Sequence, residues 1–288
     1  MKFNRFFFTT FCLLPAVCVL SGCSPTYPTQ KDMIEGVIRL CKNEYGIDVK
    51  AKVADSTLGV YMPVAGLFNM KNMQISKKAI DKIDGVMLSV SRVALSGSKK
   101  IDFYTVVTAD QDVSGAEVAI TRYVTDLRRY YFHDISRGEF NNRMVVDIRF
   151  NMQAIIDKLK GEFTIEPVKM ENFICQQAGR RIQDEFNADK TLSGRFKISE
   201  FAGELKNRNF VFSMNIEREG LPMSELIHGK KWHEGVLLLC ARTISNLVRI
   251  YDFNNFDKIV ITNKYDNKTL EISQKDINKH RNRRIKIE

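Results

Sequence analysis

The chain has 288 residues, 44% hydrophobic and 27% charged, with a formal net charge of +10. This balance is that of an ordinary globular protein and excludes a compositionally biased chain. The excess of basic residues indicates contact with anionic material, such as lipid head groups or acidic polymers.

The first residues have the order of a signal peptide. Lys2 and Arg5 supply positive charge, and the apolar run from Phe6 to Leu20 has about 15 residues, which is short for a membrane span. Pro15 interrupts the run and disfavours a continuous spanning helix.

The tetrapeptide Leu20-Ser21-Gly22-Cys23 ends this run and resembles the lipobox of bacterial lipoproteins. In that family the cysteine thiol receives a diacylglycerol, the preceding peptide is removed, and the new amino group is acylated. The resemblance therefore implies removal of residues 1–22, lipidation of Cys23 and membrane anchoring. Ser24 in place of aspartate implies the periplasmic face of the outer membrane. An ordinary secretory peptide with a chance cysteine is the alternative.

Export makes nucleic acid a poor partner for the basic mature chain. About 265 residues remain after cleavage, enough for one large domain or two small ones. Cys41, Cys175 and Cys240 remain with them, and an odd number cannot all pair within one chain. Buried free thiols are expected, with a Cys41–Cys175 bridge as the alternative. The spacing of the cysteines indicates no metal site, and no cofactor is expected.

Residues 23–30 form a short lipidated tether, and a first α+β unit follows over residues 31–164. The predicted elements, in order, are a helix from Thr29 to Gly46, strands over 49–53 and 57–64, a helix from Ser76 to Gly97, strands over 103–109 and 116–123, a helix over 125–137, a strand over 143–151 and a helix over 153–160. Every second residue from Met144 to Phe150 is apolar, which predicts a half-buried last strand.

Residues 165–288 form a second unit with a basic C-terminal tail. The predicted elements are a helix over 170–186, strands over 195–201 and 209–217, a helix over 232–251, strands over 258–263 and 269–273, and the tail over 276–284.

The two halves resemble one another. A shift of 154 residues places Ile83 on Leu237 and Val90 on Ile244 without a gap. The predicted fold class is therefore α+β, with a duplicated helix-strand-strand-helix-strand-strand-helix unit, antiparallel sheets and helices packed on one face. The alternative is that any two amphipathic units of this type align equally well.

One stretch mixes basic and aromatic residues in a pattern suited to anionic ligands, because guanidinium groups bind phosphate and carboxylate and stack on rings. Its candidate contact residues are Arg122, Arg128, Arg129, Tyr130 and Arg137, with Tyr123, Tyr131 and Phe132 beside them. The alternative is an ordinary helix with Leu127, Tyr130 and Tyr131 turned inward and the arginines in water.

The histidines indicate no defined catalytic or metal motif. His133-Asp134 lacks an identifiable nucleophile, and His228 with His233 does not have the HExxH spacing of zinc enzymes. The sequence favours a non-enzymatic binding or scaffold lipoprotein with an envelope protein as its partner. Two alternatives stay open: a binder of anionic lipid or envelope polymer through the basic-aromatic stretch, and an envelope hydrolase that uses His133 or His228 and His233.

Overall fold

The computed structural model of the protein describes residues 26–69, 72, 74–150, 163–194, 196–218 and 230–279. The predicted signal peptide, Cys23, the predicted helix over 153–160 and most of the basic tail lie outside these residues. The chain forms two compact units, Met1–Pro167 (unit 1) and Val168–Glu288 (unit 2).

Unit 1 alternates helices with strand pairs. Its elements are α1 (Gln30–Tyr45), β1 (Lys50–Ala54), β2 (Thr57–Val64), β3 (Phe68–Asn69), β4 (Gln74–Ile75), α2 (Lys77–Ser96), β5 (Phe103–Asp110), β6 (Ala116–Tyr123), α3 (Val124–Tyr131), α4 (Arg137–Asn142) and β7 (Val145–Phe150).

A five-stranded sheet in the order β1-β2-β5-β6-β7 forms the centre of unit 1. The hairpins β1–β2 and β5–β6 are antiparallel, and β2 pairs with β5 in parallel because α2 crosses over between them. Residues Leu58, Val60 and Val106 of the sheet face α1 and α2 and are fully buried. On the opposite face, Ile165 packs on Gly59 and the ring of Phe163 lies 5.5 Å from that of Tyr61.

The local signals for the helix ends of unit 1 are confirmed. Thr29 and Asp32 form a capping box at the start of α1, and Gly46 ends this helix at a φ of 67°. Ser76 accepts a hydrogen bond from the backbone N–H of Ala79 at the start of α2.

Unit 2 has the same arrangement around a smaller sheet. Its elements are α5 (Met170–Ala188), α6 (Lys190–Ser193), β8 (Phe196–Lys206), β9 (Asn209–Arg218), α7 (Lys230–Ile250), β10 (Lys258–Asn263), β11 (Lys268–Ser273) and α8 (Gln274–Lys279). The four-stranded sheet has the order β11-β10-β9-β8. Antiparallel hairpins again flank a central parallel pair, β9 with β10.

The α+β class is confirmed, and the sheets are mixed. Antiparallel pairing was expected throughout, but each unit joins its two hairpins by a helix, which makes the inner strands parallel. Both units share this order of strands, and the duplication of one unit stays a prediction.

The three cysteines of the described residues, Cys41, Cys175 and Cys240, are buried free thiols, as expected. Burial raises the pKa of Cys41, and it raises the pKa values of Cys175 and Cys240 to about 12. They are packing residues in the cores of the two units.

Two local expectations for unit 1 are wrong. The single helix predicted over 125–137 is two helices, α3 and α4, with a turn between them. The strand β7 is less buried than its alternation suggested, since Val146 packs against the core while Ile148 and Phe150 are 59% and 62% exposed.

Candidate functional site

The basic-aromatic stretch forms the connection between β6 and β7, and we call residues 124–144 the basic-aromatic corner. The helix α3 begins directly after β6, because the N–H of Val124 donates to the carbonyl of Asp102. It ends at Phe132, where His133 adopts a φ of 60° and turns the chain. Ser136 caps α4 by accepting from the N–H of Glu139.

A buried ion pair holds α4 against α3. The guanidinium of Arg143, 6% exposed, donates to Asp126 at 2.7 Å and to Glu139 at 2.7 Å. Burial opposes the charge of Arg143, but the hydrogen bonds to Glu139 and Asp126 outweigh it and raise the pKa of this residue. Both acids of the first helical turns are thereby engaged inside the corner.

Arg122 and Tyr130, two of the candidate contact residues, pack within the corner. The guanidinium carbon of Arg122 lies 4.0 Å from the ring centroid of Phe140, and the ring of Tyr130 stacks on Phe140 at 4.7 Å. Arg122 also donates to the side-chain oxygen of Asn141 at 3.2 Å. Two of its nitrogens, Nε and Nη1, are buried without a hydrogen-bond partner, and burial lowers its pKa. Arg122 therefore packs against the inner side of α4 and stabilises the corner; it is not a surface contact residue.

The other candidate residues form the outer surface of the corner. Arg128 and Arg137 are exposed and Arg129 is half-buried. Within the described ranges, no carboxylate lies at ion-pair distance from any of these three arginines. Beside them, Tyr131 is 48% exposed and Phe132 is 77% exposed. The corner thus presents positive charge together with a solvent-exposed aromatic ring, a combination that suits an anionic partner with an apolar layer.

The histidines do not form a site in the part of the chain that is described. His133 and Asp134 are both exposed on the turn between α3 and α4. His228 lies outside the described residues, and His233 belongs to α7. Among the residues searched, which are the described ones, His, Cys, Asp and Glu nowhere gather in a group of three that suits a metal ion.

A second feature lies at the start of the described chain, where Tyr27 docks onto unit 1. Its backbone bridges to Gly97, with the N–H of Ser98 donating to the carbonyl of Tyr27 at 3.0 Å. Its ring is 8% exposed and packs on Gly36 of α1, where a Cβ atom would lie 2.3 Å from the ring. The hydroxyl of Ser98 also donates to the carbonyl of Pro28. Part of the predicted tether is therefore folded structure.

Sequence patterns did not indicate Tyr27 or Phe140 as parts of a site. Gly36 was the available signal for Tyr27, because a residue without a side chain allows a ring to approach a helix closely. Phe140 lies three residues before Arg143 on α4, a short helix that extends beyond the predicted helix over 125–137.

The chain matches no family model, no curated protein and no solved structure. Across the described residues, no helix has the length and apolar character needed to cross a bilayer.

Proposed function

We propose that this protein is a membrane-anchored lipoprotein of the bacterial cell envelope that binds another envelope protein and has no catalytic role. The observation that carries the anchor is the Leu20-Ser21-Gly22-Cys23 motif at the end of an apolar run. Several acyl chains on Cys23, each contributing about 0.8 kcal/mol per buried CH₂, give stable membrane attachment. Ser24 supports the outer membrane as the site of attachment.

The structure is compatible with this anchor because the fold begins soon after the motif. Tyr27, four positions after Cys23, already has its ring buried in unit 1. A lipid on Cys23 therefore connects the membrane to a folded unit through a few residues.

The outer edge of β7 is the surface of unit 1 that best suits a protein partner. Among the described strands, β7 pairs only with β6 and so ends the sheet. Ile148 and Phe150 project from it with more than half of each side chain exposed. A strand edge offers backbone hydrogen bonds to an extended segment, and neighbouring apolar side chains add specificity. The proposed occupant is an extended segment of another envelope protein.

In-cell crosslinking tests this function at native expression. A photo-crosslinking amino acid at Phe150 is expected to capture one dominant protein, identified by mass spectrometry. The matched control is the same group at Leu88, an exposed apolar residue of α2. The adduct is expected to disappear in the Cys23→Ser variant, which lacks the anchor. Equal capture from positions 88 and 150, or no protein adduct from either, contradicts a protein partner on β7.

A further inference from the structure

We infer that one end of unit 1 lies against an anionic lipid bilayer, with Phe132 in the head-group region and the outer arginines of the basic-aromatic corner on lipid phosphates. This inference deepens the proposed function and takes its orientation from the proposed lipid on Cys23. Three features of unit 1 support this orientation: the short free tether, the location of the corner at one end of the sheet, and the chemistry of the corner surface.

The tether between lipid and fold is short. Four Cα steps separate Cys23 from the docked Tyr27, and a fully extended chain covers at most about 14 Å over that distance, whatever its conformation. The part of unit 1 around Tyr27 must therefore lie within about 14 Å of a lipid attached at Cys23. Because Tyr27 is fixed to unit 1 by its ring and by its bridge to Gly97, the end of unit 1 that carries Tyr27 is the end held near the membrane.

Tyr27 docks at one particular end of the unit 1 sheet. At this end α1 begins, with the side chain of Gln30 donating to the carbonyl of Val53 at 3.4 Å. The helix α2 finishes at the same end, where residues 97–102 lead from the bridge with Tyr27 to the start of β5. The N–H of Asp102 donates to Ser56 in the turn between β1 and β2.

The strand register places the basic-aromatic corner at this same end. Phe103, the first residue of β5, pairs with Tyr123, the last residue of β6, and Thr121 pairs with Val145 at the start of β7. The connection between β6 and β7 is the corner itself. Because the five strands cover about 20 Å across the sheet, the corner lies within that lateral distance of the docked tether.

The surface of this end suits a bilayer better than a soluble polyanion. Phe132 is the most exposed large hydrophobic residue among the described ones, at 77%, and Tyr131 lies beside it. Aromatic side chains are favoured at the boundary between lipid head groups and acyl chains. Arg128, Arg129 and Arg137 lie in the same connection between β6 and β7, and positive charge there attracts anionic lipid. An inorganic polyanion would bind the arginines alone and would leave the Phe132 ring in water.

Vesicle co-sedimentation of the mature chain, residues 23–288 with Cys23→Ser, tests the surface without the anchor. The vesicles contain phosphatidylethanolamine with phosphatidylglycerol, and phosphatidylcholine vesicles serve as the neutral comparison. The triple variant Arg128→Gln, Arg129→Gln, Arg137→Gln is expected to bind anionic vesicles about 100-fold more weakly, since each arginine near such a surface contributes about fivefold. Phe132→Ser is expected to lose about tenfold.

Matched controls lie toward the other end of unit 1, about 21 to 28 Å away along α2. The variant Lys77→Gln, Lys78→Gln, Lys82→Gln removes the same charge, and Ile80→Ser removes an exposed apolar side chain. Both are expected to bind like the unaltered chain. Equal losses in the corner and control variants, or unchanged binding of the corner variants, would overturn the inference. Binding to inorganic polyphosphate that exceeds vesicle binding and is unaffected by Phe132→Ser would assign the corner to a polymer instead.

A second measurement separates this surface from the anchor. In cells, a photo-crosslinking amino acid at position 132 is expected to form lipid adducts, and the same group at position 80 is not. Fatty-acid labelling of Cys23 is scored on the same protein. Labelled protein without lipid adducts at position 132 contradicts the bilayer contact alone. Unlabelled protein that still forms these adducts contradicts the proposed lipoprotein function and leaves the bilayer contact standing, whereas unlabelled protein without adducts contradicts both.

Discussion

Replacement of Arg143 by methionine is expected to destabilise unit 1 by about 3–5 kcal/mol, the cost of removing one partner from a buried ion pair. The side chains of Arg143 and Asp126 are 6% and 4% exposed, and their atoms meet at 2.7 Å. Arg143→Met leaves the buried carboxylate of Asp126 without this cation, while Glu139, 32% exposed, regains water. The double variant Asp126→Leu, Arg143→Met removes the buried charge as well and is expected to recover all but about 1–2 kcal/mol.

Urea unfolding followed by far-UV circular dichroism measures these differences. Trp232, the single tryptophan, belongs to unit 2, so its fluorescence provides an internal control whose transition is expected to stay unchanged. Arg92→Met is the matched substitution: Arg92 meets Glu44 at 2.6 Å, but the pair is exposed and screened by solvent, so its loss is expected to change the stability of unit 1 little. If Arg143→Met lowers the free energy of unfolding no more than Arg92→Met does, the buried ion pair of Arg143 does not stabilise the corner, and this explanation is refuted.

Three further predictions concern the docked tether and the core thiols. Gly36→Val displaces the ring of Tyr27, because a Cβ atom there lies 2.3 Å from it. The N–H of Ser98, which donates to the carbonyl of Tyr27, is therefore expected to exchange with deuterium faster in this variant than in the unaltered protein, as hydrogen-exchange mass spectrometry would show. Cys175 and Cys240, with pKa values of about 12, are expected to resist alkylation at pH 8 in the native protein and to react in urea; rapid native labelling would contradict their burial. The pKa values of these two thiols are higher in the folded chain than the ordinary value of 9.0 that applies when the chain is unfolded. Their contribution to stability is therefore complete below pH 9 and is lost as the pH rises toward 12. A Cys175→Ala, Cys240→Ala variant is expected to lose less stability between these pH values than the unaltered protein, as urea unfolding at each pH would show.

The elements that the sequence predicted well have local causes. The start of α1 follows from one side chain, Thr29, and its partner Asp32, and its end follows from Gly46 in a left-handed conformation. The hairpins follow from short polar turns such as the one at Asp55, whose φ is 49°. The parallel pairing of β2 with β5 depends on contacts between residues far apart in the chain. The hydrophobic periodicity of each segment does not predict which strands pair.

The candidate site shows the same division. The arginines and aromatic residues of the corner were recognisable by type, but their roles depend on tertiary contacts. A continuous helix over 125–137 satisfies the local pattern, yet the clamp of Arg143 on Asp126 holds α4 against a separate α3. Arg122 turns inward onto Phe140, and Phe132 turns outward at the end of α3. No spacing rule distinguishes these two orientations.

The anchor at Cys23 is the claim on which the location, the tether length and the orientation of unit 1 all depend. Mass spectrometry of the N-terminal peptide, from protein isolated from the membranes of its own cells, tests it directly. If Cys23 is the anchor, the peptide begins at Cys23, with a diacylglycerol on the thiol and an acyl chain on the amino group. A peptide that begins at another residue, or an unmodified Cys23, would contradict it.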